Sequence, residues 1–189
     1  MYKIALTGGI GTGKTYLSKQ FVQMGIPVFY ADDEAKKIYQ DPKVRQSLCQ
    51  IYGTEILFSD GSVNLPKLST IVFSDEQQLQ RLNALVHPWV MEQFEKWTEQ
   101  QNAPTVMMES AIIFECNLNH LFDKIIVVDA PLELRIQRIS KRNPELTRED
   151  ILQRMARQMP QETKCQQADL VICTGETYCE ALKLQNDSI

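Results

Sequence analysis

The chain has 189 residues, 20 basic against 24 acidic, a net charge of −4 and a hydrophobic fraction of 43%. These are the proportions of an ordinary globular domain with or without an insertion, and they argue against general affinity for nucleic acid. No apolar stretch approaches the ~20 residues of a membrane span, and five scattered cysteines (Cys49, Cys116, Cys165, Cys173, Cys179) form no C-x-x-C pair, so a cytoplasmic protein with reduced thiols and no zinc ribbon is expected.

The first apolar run, Ile4 to Leu6, is too short for a signal peptide and breaks at once into glycines. The segment Gly8-Gly9-Ile10-Gly11-Thr12-Gly13-Lys14-Thr15 matches G-x-x-x-x-G-K-[ST] in full, between a predicted strand and a predicted helix. Glycines let successive N–H groups point inward around a phosphate without Cβ clashes. The following helix directs the positive end of its dipole at the same group. In such a loop Lys14 reaches the β- and γ-phosphates and the Thr15 hydroxyl holds Mg2+. The dinucleotide fingerprint G-x-G-x-x-G does not fit, because after Gly9 and Gly11 its last position is Lys14.

The segment Lys14 to Met24 carries Leu17, Phe21, Val22 and Met24 at helical spacing, and Gly25 stops it. A second strand is predicted near 26–30 (IPVFY). Asp32 and Asp33 follow it, either as caps of a helix starting at Glu34-Ala35 or as a catalytic carboxylate. The third strand, near 105–109 (TVMM), comes some seventy residues later, where a simple crossover needs far fewer. The excess is mostly helical by pattern, including Ser74 to Gln101, which Pro88 is expected to kink or divide. It is read as a helical insertion over the carboxyl edge of the sheet, where ligands bind in open α/β folds.

Glu109 ends the third strand and only approximates the magnesium aspartate of a motor ATPase. A fourth strand (KIIVV), a helix from Pro131 to Arg142, a helix from Thr147 to Met159 opened by T-R-E-D, and a fifth strand (DLVI) complete the series. Short, continuous apolar runs alternating with helices imply a parallel sheet covered on both faces.

No N-K-x-D motif suggests a guanine switch. A small-molecule kinase needs an acceptor site, a carboxylate near the accepting hydroxyl, and arginines to neutralise the transferring group. Arg135, Arg138, Arg142, Arg148, Arg154 and Arg157 crowd one region. A solvated face with i,i+4 ion pairs to Glu145, Glu149 and Asp150 is the alternative for at least half of them.

Together these residues resemble the dephospho-coenzyme A kinase family. The family's opening T-G-G-I-G-[ST]-G-K-[ST] appears at Thr7–Thr15, and its L-G-x-x-V-x-D-A-D stretch at Met24–Asp32, with Tyr30 in place of the first aspartate. The His-Pro pair is His87-Pro88. The P-L-L-[FY]-E segment is Ala111–Glu115, with Ala111 for proline. V-V-D-A-P-x-E runs from Val127 to Glu133, followed by Arg138. T-R-E-D and R-x-x-x-Q match Thr147–Asp150 and Arg154–Gln158, and K-x-x-x-A-D-x-V-I matches Lys164–Ile172. After Ile172, Cys173-Thr174-Gly175 departs from the family's asparagines near the adenine site.

The resemblance implies a nucleotide-kinase-like P-loop NTPase fold, α/β with a five-stranded parallel sheet, a helical acceptor-binding insertion and a lid. The single kinase domain would have its core at 1–31, 103–136 and 160–189, the insertion at about 32–102 and the lid at about 137–159. The implied reaction is ATP-dependent phosphorylation of the ribose 3′-hydroxyl of dephospho-CoA, giving coenzyme A and ADP. Asp32 would accept the hydroxyl proton, and Lys14 and Arg138 would stabilise the transferring phosphoryl. Gly9, Gly11, Thr12, Gly13, Lys14, Thr15, Tyr16 and Arg142 would hold the nucleotide, with Thr15 on the metal. Asp32, His87 and Glu115 would face the acceptor. The alternative is another small-molecule or nucleoside monophosphate kinase, or, in a different class, a nucleotide-binding regulator. Oligomeric state is not legible in the sequence.

Overall fold

Five strands take up the apolar runs of the sequence: β1 (Tyr2–Thr7), β2 (Val28–Tyr30), β3 (Thr105–Glu109), β4 (Lys124–Asp129) and β5 (Leu170–Cys173). They form one all-parallel sheet in the order β2-β3-β1-β4-β5. The structure, a computed structural model, describes residues 1–175; the side chains of Phe73, Ser74 and Glu76 are not described. The end of the expected 160–189 core segment, with Cys179, lies outside the described residues.

The chain divides into two compact units, Ala31–Gln100 and the remainder. In the sheet unit, Leu6, Met107, Ile126, Val128 and Ile172 pack with Leu17 and Phe21 of helix α1 (Lys14–Gln23). Each such buried side chain stabilises the fold by about 1.5–3 kcal/mol. Helix α1 stops one residue short of the expected Met24, where Gly25 takes φ 85° and donates its N–H to the Val22 carbonyl.

Helix α2 (Ala31–Lys37) opens the helical unit. It starts at Ala31, so Asp32 and Asp33 lie inside its first turn rather than capping a helix at Glu34. Acidic residues there complement the positive end of the helix. Helix α3 (Pro42–Tyr52), α4 (Leu65–Ser74) and α5 (Glu76–Glu99) follow, N-capped by the side chains of Asp41, Asn64 and Asp75. Their core is the cluster of Ile38, Leu48, Ile56, Leu68, Val72 and Leu82.

Pro88 does not divide α5, which runs as one helix of 24 residues. Interior proline costs ~3 kcal/mol, but burial on both sides of it, at Leu82, Val90 and Phe94, offsets that cost and lets the helix run through it.

The sheet unit is completed by α6 (Leu132–Arg142), α7 (Arg148–Ala156) and α8 (Gln161–Gln167). The T-R-E-D start is a full capping box: Thr147 Oγ1 accepts from the Asp150 N–H, and Asp150 accepts from the Thr147 N–H. Strand β1 lies between β3 and β4. Its carboxyl end is therefore the point where the connections leave for opposite sides of the sheet, the usual ligand position in an open parallel sheet.

Candidate active site

The glycine-rich segment sits at that point, from the end of β1 to the start of α1. Two of its glycines are sterically required. At Gly8, with φ 142°, a Cβ would stand 2.3 Å from the Val128 carbonyl oxygen; at Gly11, with φ 82°, one would stand 2.8 Å from the Arg135 carbonyl oxygen. Both neighbours are backbone and cannot give way, so the loop lies against β4 and α6 with no room for larger residues.

Lys14, at the first position of α1, is buried, and its Nζ donates to the carbonyls of Gly8 (2.8 Å) and Gly9 (3.2 Å). The amides of Gly11, Gly13 and Thr15 have no hydrogen-bond partner among the described residues. Unpaired loop amides at a helix N-terminus, with a lysine ammonium held on the same loop, suit an anion such as phosphate.

Thr15 Oγ1 donates to Glu109 Oε1 at 3.2 Å, and the Ser18 hydroxyl lies 3.3 Å from Glu109 Oε2 and 3.4 Å from the Tyr30 hydroxyl. The register pairs Leu6 with Glu109, which sets the carboxylate level with the loop. Glu109, only an approximate match to a magnesium aspartate by motif, thus stands beside the loop threonine. Its signal was an acid ending a buried strand, which a packed core tolerates only with partners.

The arginines separate into two groups. Arg135 is buried, its Nε donating to the Ile10 carbonyl at 3.0 Å. Burial pulls its guanidinium below the ordinary arginine value while Asp129 and Glu162 push back, and it stays a cation. Arg138 donates to the carbonyls of Gly11 (3.3 Å) and Thr12 (3.1 Å), to Thr174 Oγ1 (2.8 Å) and to the Thr174 carbonyl (3.1 Å). Thr174, from the stretch that departs from the family pattern, also donates its hydroxyl to the Thr12 carbonyl. Arg142, Arg148, Arg154 and Arg157 are exposed. Arg148 pairs with Glu133 on α6 rather than with an i,i+4 neighbour.

A cavity of about 740 Å³ lies between α6, α7 and α8, lined by Leu132, Leu152, Met155 and Met159 with Asp129 and Arg135. Cys165 also borders it, and burial pushes that thiol up. Burial and Glu115 push the Cys116 thiol up to about 12. Neither thiol is ionised at neutral pH, so neither is a nucleophile. Among the described residues no helix is long and apolar enough to cross a membrane, and no cluster of three or more His, Cys, Asp or Glu could hold a metal alone.

The family model described as dephospho-CoA kinase matches residues 2–178. The chain belongs to the dephospho-CoA kinase family. A curated dephospho-CoA kinase from Bacteroides fragilis (strain YCH46) is 40% identical over 172 residues, 90% of this chain and 83% of that one. A crystal structure from Thermus thermophilus matches with a TM-score of 0.87 at 30% identity, covering 100% of this chain and 97% of the other. Dephospho-CoA kinase from Campylobacter jejuni shares the fold, with a TM-score of 0.65 at 22% identity over 98% and 96% of the two chains.

Two of the stretches that resemble the dephospho-CoA kinase family meet in a single ion pair. Lys164, fully buried, places Nζ 2.7 Å from Glu115 Oε1 and donates to the Ala111 carbonyl at 2.6 Å. Glu115 Oε1 also accepts from the Met159 N–H at 3.0 Å, and its Oε2 is buried without a hydrogen-bond partner. In the helical unit, His87 is half-buried on α5; burial lowers it below its ordinary value, so the ring is neutral at pH 7. Asp32, the second residue beyond β2, is exposed. The sequence marks Arg135 only as one of six clustered arginines and Thr174 only as a departure from the family pattern, because no local motif marks a side chain that reaches the loop from another element.

Proposed function

We propose that the protein transfers the γ-phosphoryl group of ATP to the ribose 3′-hydroxyl of dephospho-CoA, giving coenzyme A and ADP. The observation that carries this reading is a complete phosphate loop, with unpaired amides under Lys14, in a chain matched over residues 2–178 by the dephospho-CoA kinase family. Another small-molecule kinase would share the loop without that match. Five scattered cysteines with no C-x-x-C pair are the usage expected of a reducing, cytoplasmic setting.

The chemistry needs positioning and charge neutralisation more than covalent participation. Gly9, Gly11, Thr12, Gly13 and Tyr16 line or follow the triphosphate seat. Lys14, fixed above two loop carbonyls, offers its charge to the β- and γ-phosphates. Arg138 stiffens the loop through its carbonyls and, with exposed Arg142, supplies positive charge as the phosphoryl group moves. Asp32 accepts the proton of the attacking hydroxyl. His87, neutral and able to donate or accept, and Glu115, with Oε2 uncommitted, serve the acceptor. Closure of the lid, about 137–159, excludes water, the competing acceptor.

The donor set at the loop fits Mg2+. Thr15 and Glu109 offer hard oxygen atoms, and that ion is normally held by one or two such protein groups with phosphate oxygens and water. When bound, it neutralises charge on the β- and γ-phosphates. Glu109 orients the Thr15 hydroxyl, so Glu109→Gln should raise the Mg2+ concentration for half-maximal rate by roughly 10–100-fold, the usual effect of such a partner. A magnesium titration at saturating ATP measures this, and an unchanged midpoint removes Glu109 from the metal site.

Incubation with ATP, Mg2+ and dephospho-CoA tests the function. Stoichiometric coenzyme A and ADP are expected. ADP released without regard to the acceptor would point to a hydrolase, and nucleotide binding without turnover to a regulator.

A further inference from the structure

Every carbonyl of the loop from Gly8 to Thr12 is held by a basic side chain: Gly8 and Gly9 by Lys14, Ile10 by Arg135, Gly11 and Thr12 by Arg138. Two amides are held as well, and from an unexpected direction. Gly9 donates its N–H to Gln161 Oε1 at 2.8 Å, and Ile10 donates its N–H to Gln158 Oε1 at 2.8 Å. These glutamines flank Pro160, one just after α7 and the other opening α8. The Gln161 amide is anchored at both ends, since its Nε2 donates to the Val128 carbonyl at 3.0 Å. That pairing fixes the orientation of the side-chain amide without ambiguity.

The loop amides are thereby divided. Those of Gly9 and Ile10 are tied to glutamine oxygens, whereas those of Gly11, Gly13 and Thr15 have no partner among the described residues. A free glycine-rich loop samples many conformations, and only a few aim several N–H groups at one point. Ligand affinity falls in proportion to the population of the competent form. With the Gly9 and Ile10 amides held by the α7–α8 connection and the start of α8, the remaining amides are left for the phosphate.

We infer that Gln158 and Gln161 are positioning residues for the donor loop, bracing its Gly9–Ile10 turn so that the remaining amides are preorganised for the ATP phosphates. The opposite reading is that the two oxygens occupy places meant for phosphate oxygens and must be displaced. The anchored Nε2 of Gln161 favours the brace, because displacement would strand the Val128 carbonyl. The inference rests on the ATP-dependent reading of the loop but not on the identity of the acceptor.

The test uses Gln158→Met and Gln161→Met in the full chain, which keep side-chain length and remove the acceptor oxygen, and in Gln161→Met also the Nε2 donor to the Val128 carbonyl. Titration calorimetry with MgADP should show affinity about tenfold weaker for each variant, the usual effect of one lost hydrogen bond. In turnover, KM for ATP should rise by a similar factor while KM for dephospho-CoA stays near wild type; the melting temperature of the unliganded protein should stay near wild type in Gln158→Met, which loses only the Ile10 contact, and fall in Gln161→Met, which also strands the Val128 carbonyl. A purely structural role would lower the melting temperature of Gln158→Met as well and move both KM values together. Unchanged or tighter MgADP binding overturns the brace. Should Gln161→Met fail to fold, Gln158→Met decides, since it removes only the Ile10 contact. Wild-type protein that binds MgADP but makes no coenzyme A would overturn the proposed reaction and leave the brace standing.

Discussion

An Asp32→Asn variant should bind ATP as the wild type does while kcat falls by ~10²–10⁴, the range for loss of a general base. The carboxylate is the second residue after β2, whose register with β3 (Tyr30 with Glu109) brings the carboxyl end of β2 level with the loop end of the sheet. Asparagine keeps the size and the first-turn position in α2 but cannot take the proton of the ribose hydroxyl. The first aspartate of the family's D-A-D is Tyr30 here, and its hydroxyl lies 3.4 Å from that of Ser18. A phenol rather than a second carboxylate fills that place, so the proposed base role rests on Asp32 alone. Rapid-quench measurement of a single turnover separates this chemical step from product release. A rate within a few-fold of wild type would falsify the base assignment, and a matching loss of MgADP affinity would recast Asp32 as a folding residue.

The readable parts of the sequence were those written locally. The loop motif, the capping box at Thr147 and the apolar strands each depend on a few adjacent residues, and each stands in the structure where its pattern put it. Strand order was not readable in the same way, because β1 pairs with segments more than a hundred residues away. For the same reason the place of Glu109 became plain only when the register set it beside Thr15. Boundaries misled where packing outweighed propensity: α5 continues through Pro88, and α2 takes up its aspartates instead of starting after them. The arginines show the limit most clearly. Their spacing allowed i,i+4 pairs, yet two turn inward onto loop carbonyls, and Arg148 bridges to Glu133 on a different helix.

Replacing Lys164 by methionine should destabilise the protein by about 3 kcal/mol, the lower end of the 3–5 kcal/mol for removing one partner of a buried ion pair. Lys164 is fully buried and Glu115 is 21% exposed, which places the estimate at that end. Methionine fills the same volume, so little of the loss comes from a cavity. What it removes is the cation on Glu115 Oε1 and the donor to the Ala111 carbonyl, and it leaves the carboxylate only the Met159 N–H. For a chain of this size the melting temperature should drop by roughly 6–12 °C. The double variant Lys164→Met with Glu115→Gln should recover much of the loss, because the stranded charge is gone. Additive effects of the two substitutions, or a single-variant loss below about 1 kcal/mol, the range of exposed pairs, would show that the pair is not mutually dependent. The consequence reaches the donor site: the pair ties the 111–115 stretch to α8, the helix that presents Gln161 to the loop. A loosened α8 should therefore weaken MgADP binding in Lys164→Met, and the charge-relieving double variant should restore it along with the melting temperature.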